Sequence, residues 1–309
     1  MRKYIGVDIG GTTVKAAVVD ENGRILRRST ISTLATRPFE KVAEDIAAQI
    51  AGLREGDKIE GVGIGCPGMV DSADGNIIYS NNLYWHDAPL AQKLQAATGE
   101  RVRVCNDANA AALGETKFGA GKNYTDTALV TLGTGVGGGL VANGKLFEGF
   151  RGMGAEIGHT VIRLNGAPCT CGRKGCFEAY ASATALIRDT VYAMQTDRNS
   201  AMWEFVGGDL NKADGRTSFE CAKKGDATAQ KVVDAYIGYL AEGIANVVNV
   251  FRSQAVILGG GVCAQGAYLT VPLQKKVHAL CFGNVCLPEI LVAALGNDAG
   301  ILGAASLVM

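Results

Sequence analysis

The chain has 309 residues, and 30 Lys plus Arg are balanced by 30 Asp plus Glu, a length sufficient for two domains with a core each. Zero net charge with no basic stripe or polybasic run argues against nucleic acid and membrane surfaces as partners, and no apolar stretch reaches spanning length. Nine cysteines and an N-terminus that reads as a strand rather than a signal peptide point to a reducing cytoplasm, while the 42 glycines, about twice ordinary usage, sit in short runs beside apolar strands, as in loops that approach a ligand closely.

Residues 5–9 form an apolar run that ends in Asp8 and Gly10-Gly11-Thr12-Thr13. A second run at 14–19, a turn at Glu21-Asn22-Gly23 and a third run at 24–32 predict an antiparallel meander. Helical spacing follows over Phe39–Arg54. A buried-type strand at 59–64 leads into Gly65-Cys66-Pro67-Gly68. A helix over Leu90–Thr98, a strand at 102–105 and an Ala-rich helix at 108–118 complete the order β-β-β-α-β-α-β-α.

The pattern then restarts. Residues 126–132 are an apolar strand ending in Gly133-Thr134-Gly135-Val136-Gly137-Gly138-Gly139, followed by a strand at 141–146 with Asn143-Gly144 as a turn. Helices are expected at 181–194 and Ala227–Phe251, and a strand at 255–258 ends in Gly259-Gly260-Gly261. A helix at 271–280, a strand at 290–295 and a closing helix at 300–307 finish the chain; residues 196–225 are poorly patterned. Each half opens with strand, Gly/Thr loop and strand, which predicts a duplicated α/β fold with a cleft between two lobes. The expected division is 1–118, completed by the last helix at about 297–309, and 119–296.

Four motifs carry chemistry. The richest runs from Glu156 to Glu178. His159, Cys169, Cys171 and Cys176 are one imidazole and three thiols in a short Gly-rich segment, a closed four-ligand set for structural Zn²⁺. A disulfide or free thiols are the alternatives. Glu156 and Glu178 flank the set, and with His159 they suit a polyhydroxylated ligand such as a sugar; the alternative is that the carboxylates are surface residues whose spacing to the knuckle is accidental. The second motif, Asp8-Ile9-Gly10-Gly11-Thr12-Thr13, lies between two strands, so neither a P-loop nor a Rossmann fingerprint fits. It reads as a phosphate-binding hairpin in which Asp8 holds Mg²⁺ through water, or as a tight turn with a capping Asp. The similar loop carrying Thr134 and Gly135 favours a clamp for a triphosphate. Third, Gly259, Gly260 and Gly261 at a strand end offer backbone to a nucleoside, or serve helix–strand packing. Fourth, Asn106-Asp107 closes the strand at 102–105. Asp107 is either a helix N-cap or the carboxylate that takes a proton from an attacking hydroxyl in phosphoryl transfer. Asn81, Asn106 and Gly68 offer further hydrogen bonds to a sugar.

Along essentially its whole length the chain resembles the ROK family of repressors, open reading frames and sugar kinases. The resemblance rests on D-I-G-G-T-T near the start, G-C-P-G from Gly65, N-D-A-N-A-A-A-L-G-E from Asn106, L-G-T-G-V-G-G-G from Leu132, and E-I-G-H…C-T-C-G-R-K-G-C-F-E. It implies the duplicated actin-like ATPase (ribonuclease H-like) fold, with the final helix returning to the first lobe, and ATP, Mg²⁺ and structural Zn²⁺ as cofactors. By the same resemblance Asp107 is the catalytic base, and Gly68, Asn81, Asn106, Glu156, His159 and Glu178 contact the sugar. His159, Cys169, Cys171 and Cys176 are the zinc ligands, His159 serving metal and sugar through its two ring nitrogens. Family repressors carry an additional DNA-binding helix-turn-helix, for which a phosphate loop starting at Asp8 leaves no room. N-L-Y-W-H-D-A-P-L from Asn82 is similar to the corresponding stretch of bacterial glucokinases, with Asn82 and Trp85 shaping the sugar loop. ATP-dependent phosphorylation of glucose at the 6-hydroxyl is therefore the expected activity, with an N-acetylmannosamine or N-acetylglucosamine kinase, and after it a non-catalytic sugar-responsive regulator, as the alternatives; a homodimer or homotetramer is the expected assembly.

Overall fold

The computed structural model describes all 309 residues. The leading meander is β1 (Lys3–Ile9), β2 (Thr13–Asp20) and β3 (Ile25–Ser32), followed by α1 (Phe39–Arg54) and β4 (Val62–Cys66). Three short strands come next, β5 (Met69–Asp71), β6 (Asn76–Ser80) and β7 (Trp85–Ala88), then α2 (Leu90–Thr98), β8 (Val102–Asn106) and α3 (Asp107–Phe118). The second half contains β9 (Thr127–Leu132), β10 (Val136–Ala142), β11 (Lys145–Phe147), α4 (Glu178–Ala181), α5 (Ala183–Thr196), α6 (Met202–Phe205), α7 (Thr217–Lys223) and α8 (Ala227–Phe251). It ends with β12 (Ala255–Gly259), α9 (Ala267–Leu280), β13 (Glu289–Val292) and α10 (Ala299–Ser306).

The two large sheets run in the orders β3-β2-β1-β4-β8 and β11-β10-β9-β12-β13. In each, the first strand of the repeat is central, the second and third extend one way, and the fourth and fifth the other. Within the first sheet β1, β4 and β8 are parallel and the β1–β2–β3 meander is antiparallel. This shared order is the duplicated unit of the actin-like ATPase, or ribonuclease H-like, fold. No helix is long and apolar enough to cross a membrane.

The chain forms two compact units, one of Met1–Leu129, Gly139–Ala155 and Ala293–Met309, the other of Val130–Gly138 and Glu156–Val292. This division differs from 1–118 plus 297–309 and 119–296. The segment after β10 stays with the first unit because β11 pairs with the end of β10 and packs on α3.

In the first unit the period-2 alternation of β1 sorts side chains between two helical layers. Ile5, Val7 and Ile9 join a core with Val42, Ile46, Ile50, Leu90 and Leu94 of α1 and α2. Tyr4 faces the other way, into a cluster with Ile301, Leu302 and Ala305 of α10. Gly6 lies on that same face, and a Cβ there would overlap the Ile301 carbonyl; Gly63 of β4 meets Ala304 in the same way, and Gly303 of α10 meets Ala110 of α3. The last helix thus lies backbone-to-backbone on β1, β4 and α3. Glu115, fully buried in α3, secures its approach by accepting N–H groups of Ala120, Ala294 and Leu295 at 3.0, 3.1 and 2.8 Å.

Several local expectations shift. Val136–Gly139 is strand rather than loop, and Gly139 serves packing: a Cβ there would come 2.5 Å from that of Ala112. Asn143-Gly144 is the hairpin turn between β10 and β11, with φ of 52° and 71°, as a type I′ turn requires. The helix expected at 181–194 is interrupted at Ser182, whose hydroxyl caps α5 through Ala185 N–H at 3.0 Å. The helix expected from 271 begins at Ala267, which puts Pro272 at its sixth residue, where the missing N–H leaves one interior i→i−4 hydrogen bond unmade. The sheet β5-β6-β7 was not foreseen, because its strands of three to five residues are too short to show alternation.

Candidate active site and metal centre

Parallel pairing of β1, β4 and β8 aligns their C-terminal ends: Asp8 is opposite Gly65, and Cys66 opposite Asn106. That edge is where α/β sheets present ligand-binding groups. Asn106, not Asp107, is the N-cap of α3, its Oδ1 accepting from Ala108 and Asn109 N–H at 2.9 and 3.3 Å. Its Nδ2 donates to the Gly68 carbonyl at 3.1 Å. Gly68 has φ of 111°, and a Cβ would overlap the Tyr79 carbonyl. Tyr79 in turn donates its hydroxyl to Asn81 Oδ1 at 3.2 Å. One hydrogen bond therefore joins Asn106 to Gly68 and another joins Asn81 to Tyr79, while the Gly68 backbone lies against the Tyr79 carbonyl; no sequence motif announces Tyr79.

With capping assigned to Asn106, Asp107 is released from that duty. It accepts the Ala108 N–H at 2.9 Å. Burial pushes its carboxyl above the usual range, against the lowering influence of that N–H. Asp8 is raised as well, first by burial and then by the charge of Asp107, with Lys15 opposing. The Asp8 carboxylate accepts no hydrogen bond from the protein and abuts Gly300 in the first turn of α10, where a Cβ would lie 2.9 Å from its carboxyl carbon. A half-buried acid with another acid as electrostatic neighbour suits a cation.

The turn between β1 and β2 is closed by Gly10 N–H to the Thr13 carbonyl at 2.9 Å and braced by Thr33, which donates its hydroxyl to Gly10 O at 2.6 Å and its N–H to Thr12 O at 2.9 Å. Gly11 passes close to Asn82, whose carbonyl would be 3.3 Å from a Cβ at Gly11. Trp85 is buried edge-on against Phe39 at 5.1 Å, so it shapes the loop from the core side.

The second unit carries the candidate metal centre. One ligand atom from each of His159, Cys169, Cys171 and Cys176 lies within 4.8 Å of every other. Cys171 Sγ is 3.7 Å from Cys176 Sγ, and His159 Nδ1 is 3.7 Å from Cys169 Sγ. A tetrahedron with metal–sulfur bonds of about 2.3 Å has edges of about 3.8 Å, so both distances match a zinc polyhedron. They exceed a disulfide bond, and all nine cysteines are free. The knuckle turns because Cys169 N–H reaches Arg173 O at 2.8 Å and Gly172 adopts φ of 86°. Its base is fixed to the helical layer: Ala167 N–H donates to Tyr180 Oη at 2.6 Å, and the fully buried Phe177 ring occupies the space beside Gly243 of α8. With Nδ1 of His159 turned to the thiols, Nε2 is the ring atom left for another ligand.

Glu178, at the start of α4, links the knuckle to the Gly133–Gly135 turn. One oxygen accepts Val136 N–H at 3.0 Å, and the other accepts the Thr170 hydroxyl at 3.1 Å. Thr134 is held through its carbonyl by the Thr184 hydroxyl at 2.8 Å, and a Cβ at Gly135 would overlap the Glu178 carboxylate. Glu156 is exposed and its carboxylate has no protein partner. At the end of β12, Gly260 (φ 99°) crosses the Leu132 carbonyl too closely for any Cβ, whereas a Cβ at Gly261 would meet nothing within 4 Å. One glycine of the three serves packing, and another borders open space.

The ROK family model matches residues 4–309. The chain is 41% identical over 308 residues to a glucokinase of Thermotoga maritima, covering 99% of this chain and 97% of that protein. It is 39% identical over 317 residues to a glucokinase of Halalkalibacterium halodurans, covering 99% and 95%. Among solved structures it is similar to a ROK family glucokinase from Streptomyces griseus in complex with glucose and AMPPNP, with a TM-score of 0.78, 38% identity, and 99% and 98% of the two chains covered. A family match from residue 4 to the last residue, with relatives this similar over nearly their full lengths, means that the chain belongs to the ROK family.

Proposed function

We propose that this chain is an ATP-dependent glucokinase that phosphorylates glucose at the 6-hydroxyl, with Asp107 as the base. The observation that carries the reading is Asp107 itself: a carboxylate at the C-terminal edge of β8, relieved of capping by Asn106 and raised by burial. A raised carboxyl is a better proton acceptor than a free one, and a positioned base is worth about 10²–10⁴ in rate. The full-length similarity to glucokinases supports glucose as the sugar.

In this reading Gly68, Asn81 and Asn106 of the first unit and Glu156, His159 and Glu178 of the second are ligands to the sugar. A carboxylate such as Glu178, which accepts from Val136, Thr170 and Cys169, retains acceptor capacity for a sugar hydroxyl. Asp107 accepts the proton of the 6-hydroxyl as that oxygen attacks the γ-phosphorus in line, and the β–γ bond breaks to release ADP. Backbone N–H groups and hydroxyls of Gly10, Gly11, Thr12 and Thr13, with Thr134 and Gly135, hold phosphate oxygens, and Gly259, Gly260 and Gly261 border the nucleoside. Mg²⁺, when bound with ATP, neutralises charge on the phosphoryl oxygens, and Asp8 is the residue that would hold it. Zinc on His159, Cys169, Cys171 and Cys176 is a closed, structural centre.

The test is Asp107→Ala, assayed for glucose binding and for ADP release. Retained binding with turnover lowered by about 10³ or more is expected; turnover near wild type would remove Asp107 from the chemistry.

A further inference from the structure

Residues 149–155 are the last stretch of the first unit before the chain enters the second at Glu156. Gly149, Arg151, Gly152 and Ala155 have φ of 67°, 53°, 83° and 65°. For the two residues with side chains, that conformation persists only where the surroundings impose it. At Arg151 they do. Its guanidinium pairs with Asp71, whose side chain is 2% exposed, and lies 3.3 Å from Asp74. The other Asp71 oxygen accepts Ala73 N–H at 3.2 Å. Ser72 N–H donates to the Arg151 carbonyl at 3.2 Å. A Cβ on Gly152 would lie 2.7 Å from Ser72 Oγ and 2.8 Å from the Val70 carbonyl. Gly154 N–H closes the segment on Glu148 O at 2.8 Å.

These contacts fasten the segment to β5, which begins directly after Gly68. Arg151 remains about half exposed, so it adds little to the core. The pair and the Ser72–Arg151 bond hold the backbone five residues before Glu156. An isolated buried carboxylate is costly, so Asp71 has a strong preference for keeping Arg151 in place.

We infer that Arg151 and Asp71 are positioning residues for the sugar, their ion pair setting the path of the backbone that presents Glu156. The inference rests on the reading of Glu156 as a sugar ligand. Its test compares Arg151→Gln, Arg151→Lys, Glu156→Gln and the double variant Arg151→Gln/Glu156→Gln with wild type, by calorimetric titration with glucose and by steady-state kinetics. Arg151→Gln should raise the glucose Kd and KM roughly tenfold, with kcat at saturating glucose and the KM for ATP little changed. Arg151→Lys should recover part of the loss. In the Glu156→Gln background the Arg151→Gln change should add little, because both act through one contact. Unchanged glucose binding in Arg151→Gln, equal losses for glucose and ATP, or additive losses in the double variant would overturn the positioning role while leaving Glu156 as a ligand. Wild-type glucose binding in Glu156→Gln would instead overturn the sugar role of Glu156 and this inference with it.

Discussion

Asp8 and Asp107 are both held above the ordinary carboxyl value of 3.8, each first by burial, and Asp8 also by the charge of Asp107. A raised folded-state pKa means that folding favours the protonated form. That contribution is fully present below the unfolded value and is lost as pH rises through the folded ones. At neutral pH the fold therefore bears an electrostatic penalty, which the proposed role of Asp107 as base would require. Asp107→Asn keeps the shape and an acceptor for Ala108 N–H while deleting the charge. It should raise Tm at pH 7.5 by about 2 °C or more, with the advantage shrinking towards pH 4, while kcat collapses. Calorimetric melts at the two pH values check this, and a variant no more stable than wild type at pH 7.5 would contradict the repulsion between the two acids. The same shift sets the acid limb of the rate profile. Turnover in the wild type should fall, as pH is lowered, at a higher pH than an unperturbed aspartate would give, because the base is lost on protonation.

The closing helix and the zinc knuckle make different demands on the chain. Helix α10 sits on glycines: Gly6, Gly63 and Gly303 each face a backbone carbonyl at a separation no side chain tolerates. Gly303→Ala forces α10 off α3 and should cost about 3 kcal/mol or more, at the upper end of overpacking penalties; denaturant unfolding measures it, and a change under 1 kcal/mol would mean that the helix can shift freely. The knuckle is local, tied to the rest by Phe177, Tyr180 and Glu178. Stripping the metal, or Cys171→Ser, should raise the glucose KM severalfold before it lowers Tm appreciably. Metal content measured alongside the kinetics checks this, and full glucose affinity in verified metal-free protein would separate the knuckle from the sugar site. The clustering of His159, Cys169, Cys171 and Cys176 could be read directly from spacing, since ligand chemistry dictates residue type. The division of labour between Asn106 and Asp107 could not, because either side chain caps a helix equally well in sequence. Tyr79 and Thr33 were invisible for another reason: Tyr79 bonds Asn81 two residues on and Thr33 bonds Gly10, 23 residues earlier, and neither contact demands a particular residue type.

At the scale of the whole molecule, the repeat of strand, Gly/Thr turn and strand was legible because both halves begin with the same hairpin. The two sheets repeat the strand order as well. What pattern could not convey was where the backbone changes unit. The apolar run through 139–142 reads equally as a continuation of the second half, and only the pairing of β11 and the packing of Gly139 on α3 assign it to the first. The short strands β5 to β7 escaped because three to five residues carry too little periodicity, yet they adjoin Gly68 and Asn81 and hold the Asp71 end of the Arg151 pair. The central claim is that this assembly transfers the γ-phosphoryl group of ATP to glucose. The most direct measurement is ADP release with Mg-ATP across glucose, mannose, fructose, allose, N-acetylglucosamine and N-acetylmannosamine. The account predicts the highest kcat/KM for glucose, by roughly tenfold or more over the acetylated sugars; preference for an acetylated sugar, or no ADP release with any of them, would contradict it.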